Sequence, residues 1–413
     1  MSGKTIWIIS RASSHLETRQ IALSKVFAAH GWSPVNITAS YHHGKRIYLY
    51  DDPIKFTEPF EGVKYVYLKA SPAYNSKVTR VLNMIDFCRK FKKYESLIAE
   101  ETGRPDFIVA AQDNLFMQET AYKSAERFGA KFIIEVRDIF TLQLIEVMGV
   151  VKYHPFVLLS RWLEKRAYRR SDAIITSMPF AYRYIEKVAG VKPEKVFWIP
   201  NGLDTKEVDE ALKSDEELPP DLKEYLTKNK CFIYAGSIVK SECVDYLLKA
   251  WTYLQDTDIH LAIIGDGWFK HEIEDMIQKL CLKHVKTFSA LPRLLLPKAL
   301  GCALGCASYR TTTNLYKYGL SINKLNDYLY SGKPVIFACS VPNVVQDAGH
   351  IALPTCEQEV YAQKVREVAA FTDEQRADLA KKGQDIIRRD YDYSVIGKKY
   401  IAMLESLGEN KSS

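Results

Sequence analysis

Short apolar runs alternate with helical-period segments along nearly the whole chain. In the first half the runs are TIWIIS (5–10), SPVNITAS (33–40), VKYVYLK (63–69), DFIVAA (106–111), KFIIEV (131–136), AIITSM (173–178) and VFWIP (196–200). Short strands that are apolar on both faces and separated by helices predict a parallel sheet covered on both sides. The pattern stops at 205–230, TKEVDEALKSDEELPPDLKEYLTKNK, which is polar, charged and carries Pro-Pro. Such a stretch reads as a linker. A second series follows with CFIYAGS (231–237), HLAIIGDG (260–267), VKTFSAL (285–291), CALGCAS (302–308), KPVIFACS (333–340) and IALP (351–354).

The expected fold is therefore α/β, with two doubly wound Rossmann-like domains facing a cleft. The expected boundaries are 1–205 for the first domain, 206–230 for the linker and 231–385 for the second. Residues 386–413 are expected to form a helix packing back towards the first domain, and a tail. A length of 413 residues agrees with more than one core. No apolar run reaches the ~18 residues that span a bilayer. MSGKTIWIISR reads as a first strand rather than a signal peptide, so a cytoplasmic protein is expected. The eight cysteines form no CxxC pair, and CALGC (302–306) has no histidine partner nearby. Reduced thiols and no metal site are expected.

The net charge of +7 is unevenly placed. Residues 75–94 and 150–171 each hold six Lys/Arg against one acid. In 75–94, Val78, Val81, Leu82 and Ile85 read as a core stripe, and Met84, Phe87 and Phe91 as a second, outward one. A second apolar stripe on a basic helix suits an anionic bilayer surface, and FVLLSRWLEKRAYRR (156–170) could act the same way. Without interleaved aromatics or chain-wide basicity, nucleic acid is not an expected partner.

Candidate chemistry lies at strand ends. SRASSHLETR (10–19) lacks a glycine-rich phosphate fingerprint; Ser14 and Glu17 fit a capping box, and His15 and Arg19 could reach a ligand. His42 and His43 follow the second strand and are too few for a metal. Arg137 and Asp138 follow the buried run KFIIEV, where a charged pair either holds the loop or serves a ligand. In YAGSIVKS (234–241), Gly236 admits close backbone approach and Lys240 offers a point charge to a phosphate. GDGWFK (265–270) lacks the third glycine of a dinucleotide fingerprint.

The richest segment is YKYGLSINKLNDYLYSGKPVI (316–336). With Ser321 as N-cap, Ile322, Leu325 and Leu329 form a core stripe, and Asn323, Lys324 and Asp327 share the opposite face. That face is either solvated, with a Lys324–Asp327 pair, or a ligand site. In the second case amides near Gly319, Leu320 and Ser321 meet a diphosphate, and Asp327 accepts from a ribose diol.

This segment resembles the donor site of family 4 glycosyltransferases with the two-Rossmann GT-B fold, most nearly the bacterial O-antigen and capsule branch that includes fucosamine transferase-like enzymes. IPNGLD (199–204), EVRDIF (135–140), LEKRAYRRSDAIITSM (163–178), YAGSIVKSECVDYLLKA (234–250) and IIGDGWFKHEI (263–273) extend the resemblance over nearly the whole chain. It implies that Asp327 matches the second Glu of the family's Glu-x7-Glu motif and binds ribose. It also implies that Lys240 is the basic residue of the first turn, and that Gly319, Ser321 and Asn323 lie over the diphosphate. The first Glu is absent, with Tyr316 near its place. Gln112 or Asp113 stands where many relatives have a sugar-contacting His.

The resemblance further implies a retaining hexosyl- or N-acetylhexosaminyltransferase using a UDP-linked sugar, with no metal or other cofactor. Lys240, with Lys324, would stabilise the leaving diphosphate. Asp138 would orient a lipid-linked or glycan acceptor, with His15 and His42 behind it and Arg137 and Gln112 as further acceptor contacts. The expected place is the inner face of the cell membrane, as a peripheral protein making surface polysaccharide. The missing Glu keeps open a non-catalytic nucleotide-sugar or membrane-binding partner.

Overall fold

The computed structural model describes residues 3–11, 18–42, 47–72, 77–311, 316–355 and 357–409. It divides into two compact units, Met1–Pro200 with Ile396–Ser413, and Asn201–Val395.

The first unit is built on an eight-stranded sheet. Its order is Val196–Trp198, Ala173–Thr176, Lys131–Val136, Phe107–Ala111, Thr5–Ile9, Ser33–Ala39, Lys64–Leu68 and Ile54–Phe56. All neighbours are parallel except the last pair, where Ile54 opposes Leu68 antiparallel. The central strands are buried along their length, which is why they read as continuous apolar runs. A small ribbon, Tyr41–His42 with Ile47–Tyr48, follows the second strand. The C-terminal helix Tyr393–Glu409 lays its Gly397 so close to Val26 that a Cβ there would fall 2.5 Å from a Val26 methyl. Tyr400 meets Phe27 edge to face at 5.2 Å.

One expectation is reversed. On the helix Lys77–Thr102, Met84, Phe87 and Phe91 face the core, with Phe91 edge-on to Trp7 at 6.2 Å. Val78 (66% exposed) and Leu82 (55%) point outward instead. Both stripes have helical period, and the one with the larger aromatic area covers the sheet because it removes more apolar surface from water.

The second unit has a six-stranded, wholly parallel sheet. Its order is Val285–Phe288, Ile259–Ile264, Lys230–Ala235, Gly305–Tyr309, Val335–Ala338 and Ile351–Leu353. A hydrophobic layer covers each face. Residues 206–230 are not a linker. They form the helices Thr205–Lys213 and Pro220–Lys228, and Val208, Leu218, Leu222 and Leu226 are buried in the second unit's core. Asp204 caps the first helix by accepting from the Glu207 N–H (3.1 Å), and Pro220 opens the second.

Candidate functional site

Two neighbouring strands of the second unit, Lys230–Ala235 and Ile259–Ile264, end in glycines that pack backbone on backbone. A Cβ on Gly265 would lie 1.9 Å from the Gly236 carbonyl oxygen, and one on Gly267 would lie 2.1 Å from that of Ile238. The loops are stitched together by Ile238 N–H to Asp266 O (2.9 Å) and Phe269 N–H to Ile238 O (3.1 Å). The glycines of GDG thus serve close loop packing.

The helix Asn323–Tyr330 lies against this end of the sheet. Its Tyr328 hydroxyl accepts from the Ala235 N–H (2.7 Å) and donates to the Ala235 carbonyl (2.9 Å). Ile322, not Ser321, occupies the N-cap position, and no side chain caps the helix. Ser321 is used otherwise. Its hydroxyl accepts from the Asn201 N–H (2.9 Å), and its carbonyl accepts from the Asn201 side chain (2.8 Å). Asn326 donates back to the Asn201 carbonyl (3.0 Å). Gly319 has φ +95°, a conformation that favours glycine before the helix.

Between these parts lies a cavity of about 310 Å³, within the range of small-molecule sites. Gly236, Ser237, Asp266, Asn323, Lys324 and Asp327 contribute its polar lining. Lys324 and Asp327 line this cavity, Asn323 is exposed beside them, and the Lys324–Asp327 pair is replaced by two long-range ones. Lys324 Nζ meets Glu242 and donates to the Tyr234 hydroxyl (2.8 Å), lying 4.2 Å from that ring's centroid. Arg310 pairs with the other Glu242 oxygen at 2.8 Å. Burial pushes the Lys324 pKa down while Glu242 opposes it. Burial also pushes Glu242 up, but Lys324 and Arg310 outweigh it and hold the carboxyl below its usual range. Two cations face one acid, so the cluster keeps a formal charge of +1 beside the cavity. Asp327 is 8% exposed and pairs with Arg293 at 2.7 Å. Burial raises its pKa, and Arg293 pulls against that rise.

Of the donor residues expected from sequence, Gly236, Asn323, Lys324 and Asp327 line the cavity, whereas Gly319, Leu320 and Ser321 do not. Lys240 is not part of this lining. It is exposed, at the start of the short turn Lys240–Glu242, and the buried cation at Gly236 is Lys324. Glu242, Arg293, Arg310 and Asn201 were not singled out. Only Asn201, within IPNGLD, and Glu242, an acid in a turn expected to hold an anion, carried a local signal.

In the first unit, His15 lies outside the described residues. His42 is half-buried in its ribbon. Arg19 is held within the first unit. It is buried against Glu135 (2.9 Å) and donates to the Ile199 carbonyl (2.9 Å). Arg137 bonds the other Glu135 oxygen (3.2 Å). Burial pushes Glu135 up, but Arg137 and Arg19 together bring it below the usual carboxylate range. Asp138 is exposed just beyond that strand. Gln112 is 6% exposed, and its amide donates to Glu164 (2.9 Å) and Tyr168 (3.1 Å), so it supports the interior rather than offering an acceptor contact. Among the described residues no cluster of three or more His, Cys, Asp or Glu could hold a metal ion.

Residues 18–202 match the glycosyl transferase 4-like domain. A protein of Escherichia coli K12, named as the colanic acid biosynthesis glycosyl transferase WcaI, is 24% identical over 232 residues, 54% of this chain and 56% of that protein. The match thus spans little more than half of that relative's length. Among solved structures, Anabaena Alr3699/HepE in complex with UDP and glucose superposes with a TM-score of 0.67 at 13% identity, covering 98% of this chain and 100% of that one. WaaG, a glycosyltransferase involved in lipopolysaccharide biosynthesis, gives 0.65 at 13%, covering 97% and 99%. At such identities the likeness establishes the fold, which is the GT-B fold with two Rossmann-like domains. The likeness to a family 4-like glycosyltransferase domain covers residues 18–202.

Proposed function

We propose that this protein is a retaining glycosyltransferase that moves a sugar, hexosyl or N-acetylhexosaminyl, from a UDP-linked donor to a lipid-linked or glycan acceptor. The product would belong to a surface polysaccharide of O-antigen or capsule type, as in the fucosamine transferase-like branch. The observation that carries this reading is the cavity at the end of the second sheet. It combines a glycine turn, an uncapped helix start at Asn323–Lys324, a cation cluster of net positive charge and a buried acid one turn deeper. That order of groups suits a diphosphate followed by a ribose diol. Colanic acid and lipopolysaccharide enzymes among the similar proteins support the polysaccharide setting.

In this reading the bond from the anomeric carbon to the diphosphate breaks and one to the acceptor oxygen forms on the same face, the acceptor hydroxyl's proton passing to an oxygen of the departing diphosphate. Lys324, in place of Lys240, and the helix-start amides stabilise the departing diphosphate. Asp138 orients the acceptor hydroxyl. The exposed face of the helix Pro155–Arg170, with Leu158, Leu159 and Trp162 among basic residues, suits contact with an anionic membrane, where a lipid-linked acceptor would be met.

Incubation with radiolabelled UDP- and GDP-sugars and membranes tests the proposal. Label is expected in a lipid or glycan fraction from a UDP-sugar. No transfer from any donor defeats it, and UDP binding without transfer would favour a non-catalytic partner.

A further inference from the structure

We propose that Arg293 is a positioning residue that keeps the Asp327 carboxylate charged and fixed for the sugar diol of the bound nucleotide. The inference rests on the donor-site reading above and deepens it. An ionised carboxylate accepts at both oxygens, whereas a protonated one turns one of them into a donor, and burial without a cation favours the protonated form. Asp327 is buried in the cavity wall, and Arg293 holds one of its oxygens at 2.7 Å, which leaves the other for a ligand. Arg293 reaches it from the turn Arg293–Leu295, closed by the Leu295 N–H to the Pro292 carbonyl (3.0 Å). The other groups facing the pair do not replace it. Glu207 and Tyr393 act on Arg293, and Cys306, beside Asp327 and Lys333, is pushed up to about 12 by burial. Lys324, on the same helix, is engaged by Glu242.

UDP binding measured by calorimetry from pH 5.5 to 8.5 tests the assignment on the full-length wild type and on Arg293→Met, Arg293→Lys and Asp327→Asn. Circular dichroism confirms that each is folded. The wild type records the pH dependence contributed by titration of the UDP phosphate, and each variant is read as a ratio to it at the same pH. Arg293→Met should bind at least about tenfold more weakly at the acid end and recover as pH rises and Asp327 ionises. Arg293→Lys should restore most of the affinity at every pH. Asp327→Asn should be weak throughout. Arg293→Met binding like the wild type, or weak binding at all pH values without rescue by lysine, overturns the positioning role. If Asp327→Asn binds normally, or the wild type does not bind UDP, the donor-site reading itself falls.

Discussion

At the scale of single residues, His350 shows how one buried ring sets a pH limit. Its Nδ1 accepts from the Val335 N–H (3.2 Å) and its Nε2 donates to the Leu379 carbonyl (2.8 Å). Only the neutral ring protonated at Nε2 satisfies both, since a proton on Nδ1 would face a donor. Burial lowers the pKa from 6.5 to about 4. Above pH 6.5 neither folded nor unfolded ring is charged, and stability is complete. Between 6.5 and 4 the unfolded chain takes a proton that the folded one refuses, so stability falls as pH drops, by up to about 3 kcal/mol. Denaturant midpoints should therefore drop more over this window in the wild type than in His350→Gln. Parallel loss in both would rule the ring out. Gly265 sets a steric limit of the same kind. An alanine Cβ would collide with the Gly236 carbonyl, a backbone group that cannot rotate away. Gly265→Ala should cost about 1–3 kcal/mol and weaken UDP binding, seen by thermal unfolding and calorimetry. Unchanged stability and affinity would mean the loops do not pack as described.

At the scale of elements, the Tyr328 hydroxyl couples a strand end to the site helix. Tyr328→Phe strands a buried N–H and carbonyl of Ala235, and should cost about 1–3 kcal/mol in denaturant unfolding. A loss below about 0.5 kcal/mol would show that the hydroxyl is dispensable. The same elements explain what could be read in advance. Strands such as Lys131–Val136 were legible because burial on both faces leaves an unbroken apolar run. The edge strand Ile54–Phe56 has three residues, one of them an exposed lysine, and gives no such run. The helices of 205–230 hid behind their charged faces, since only a few apolar positions are buried. In the site, the polar face of Asn323–Tyr330 was legible from helical period, but its partners were not. Glu242 and Arg293 lie far from Lys324 and Asp327 in sequence, and no local spacing encodes an ion pair made by folding.

At the scale of the whole molecule, the question is where the excess positive charge acts. No described helix is long and apolar enough to cross a membrane. In the basic segment 150–171, Arg166 and Arg170 are tied to Glu119, whereas Arg161, Lys165 and Arg169 are exposed. Beside them on the helix Pro155–Arg170, Leu158, Leu159 and Trp162 are exposed, as are Val151 and Tyr153 just before it. Apolar side chains ringed by cations match a bilayer interface, where each basic residue near an anionic surface adds about 1 kcal/mol. Binding to vesicles of phosphatidylcholine with phosphatidylglycerol should therefore exceed binding to phosphatidylcholine alone and should weaken with salt. Arg161→Gln with Lys165→Gln should lower the partition coefficient roughly 30-fold, the product of two such increments. Trp162→Ala should weaken binding to both vesicle types, because it removes apolar area rather than charge. Equal, salt-insensitive binding to neutral and anionic vesicles would sink the electrostatic part of the argument. Full retention by the double variant would move the contact elsewhere, with the outward Val78 and Leu82 beside Arg80 as the next face to change.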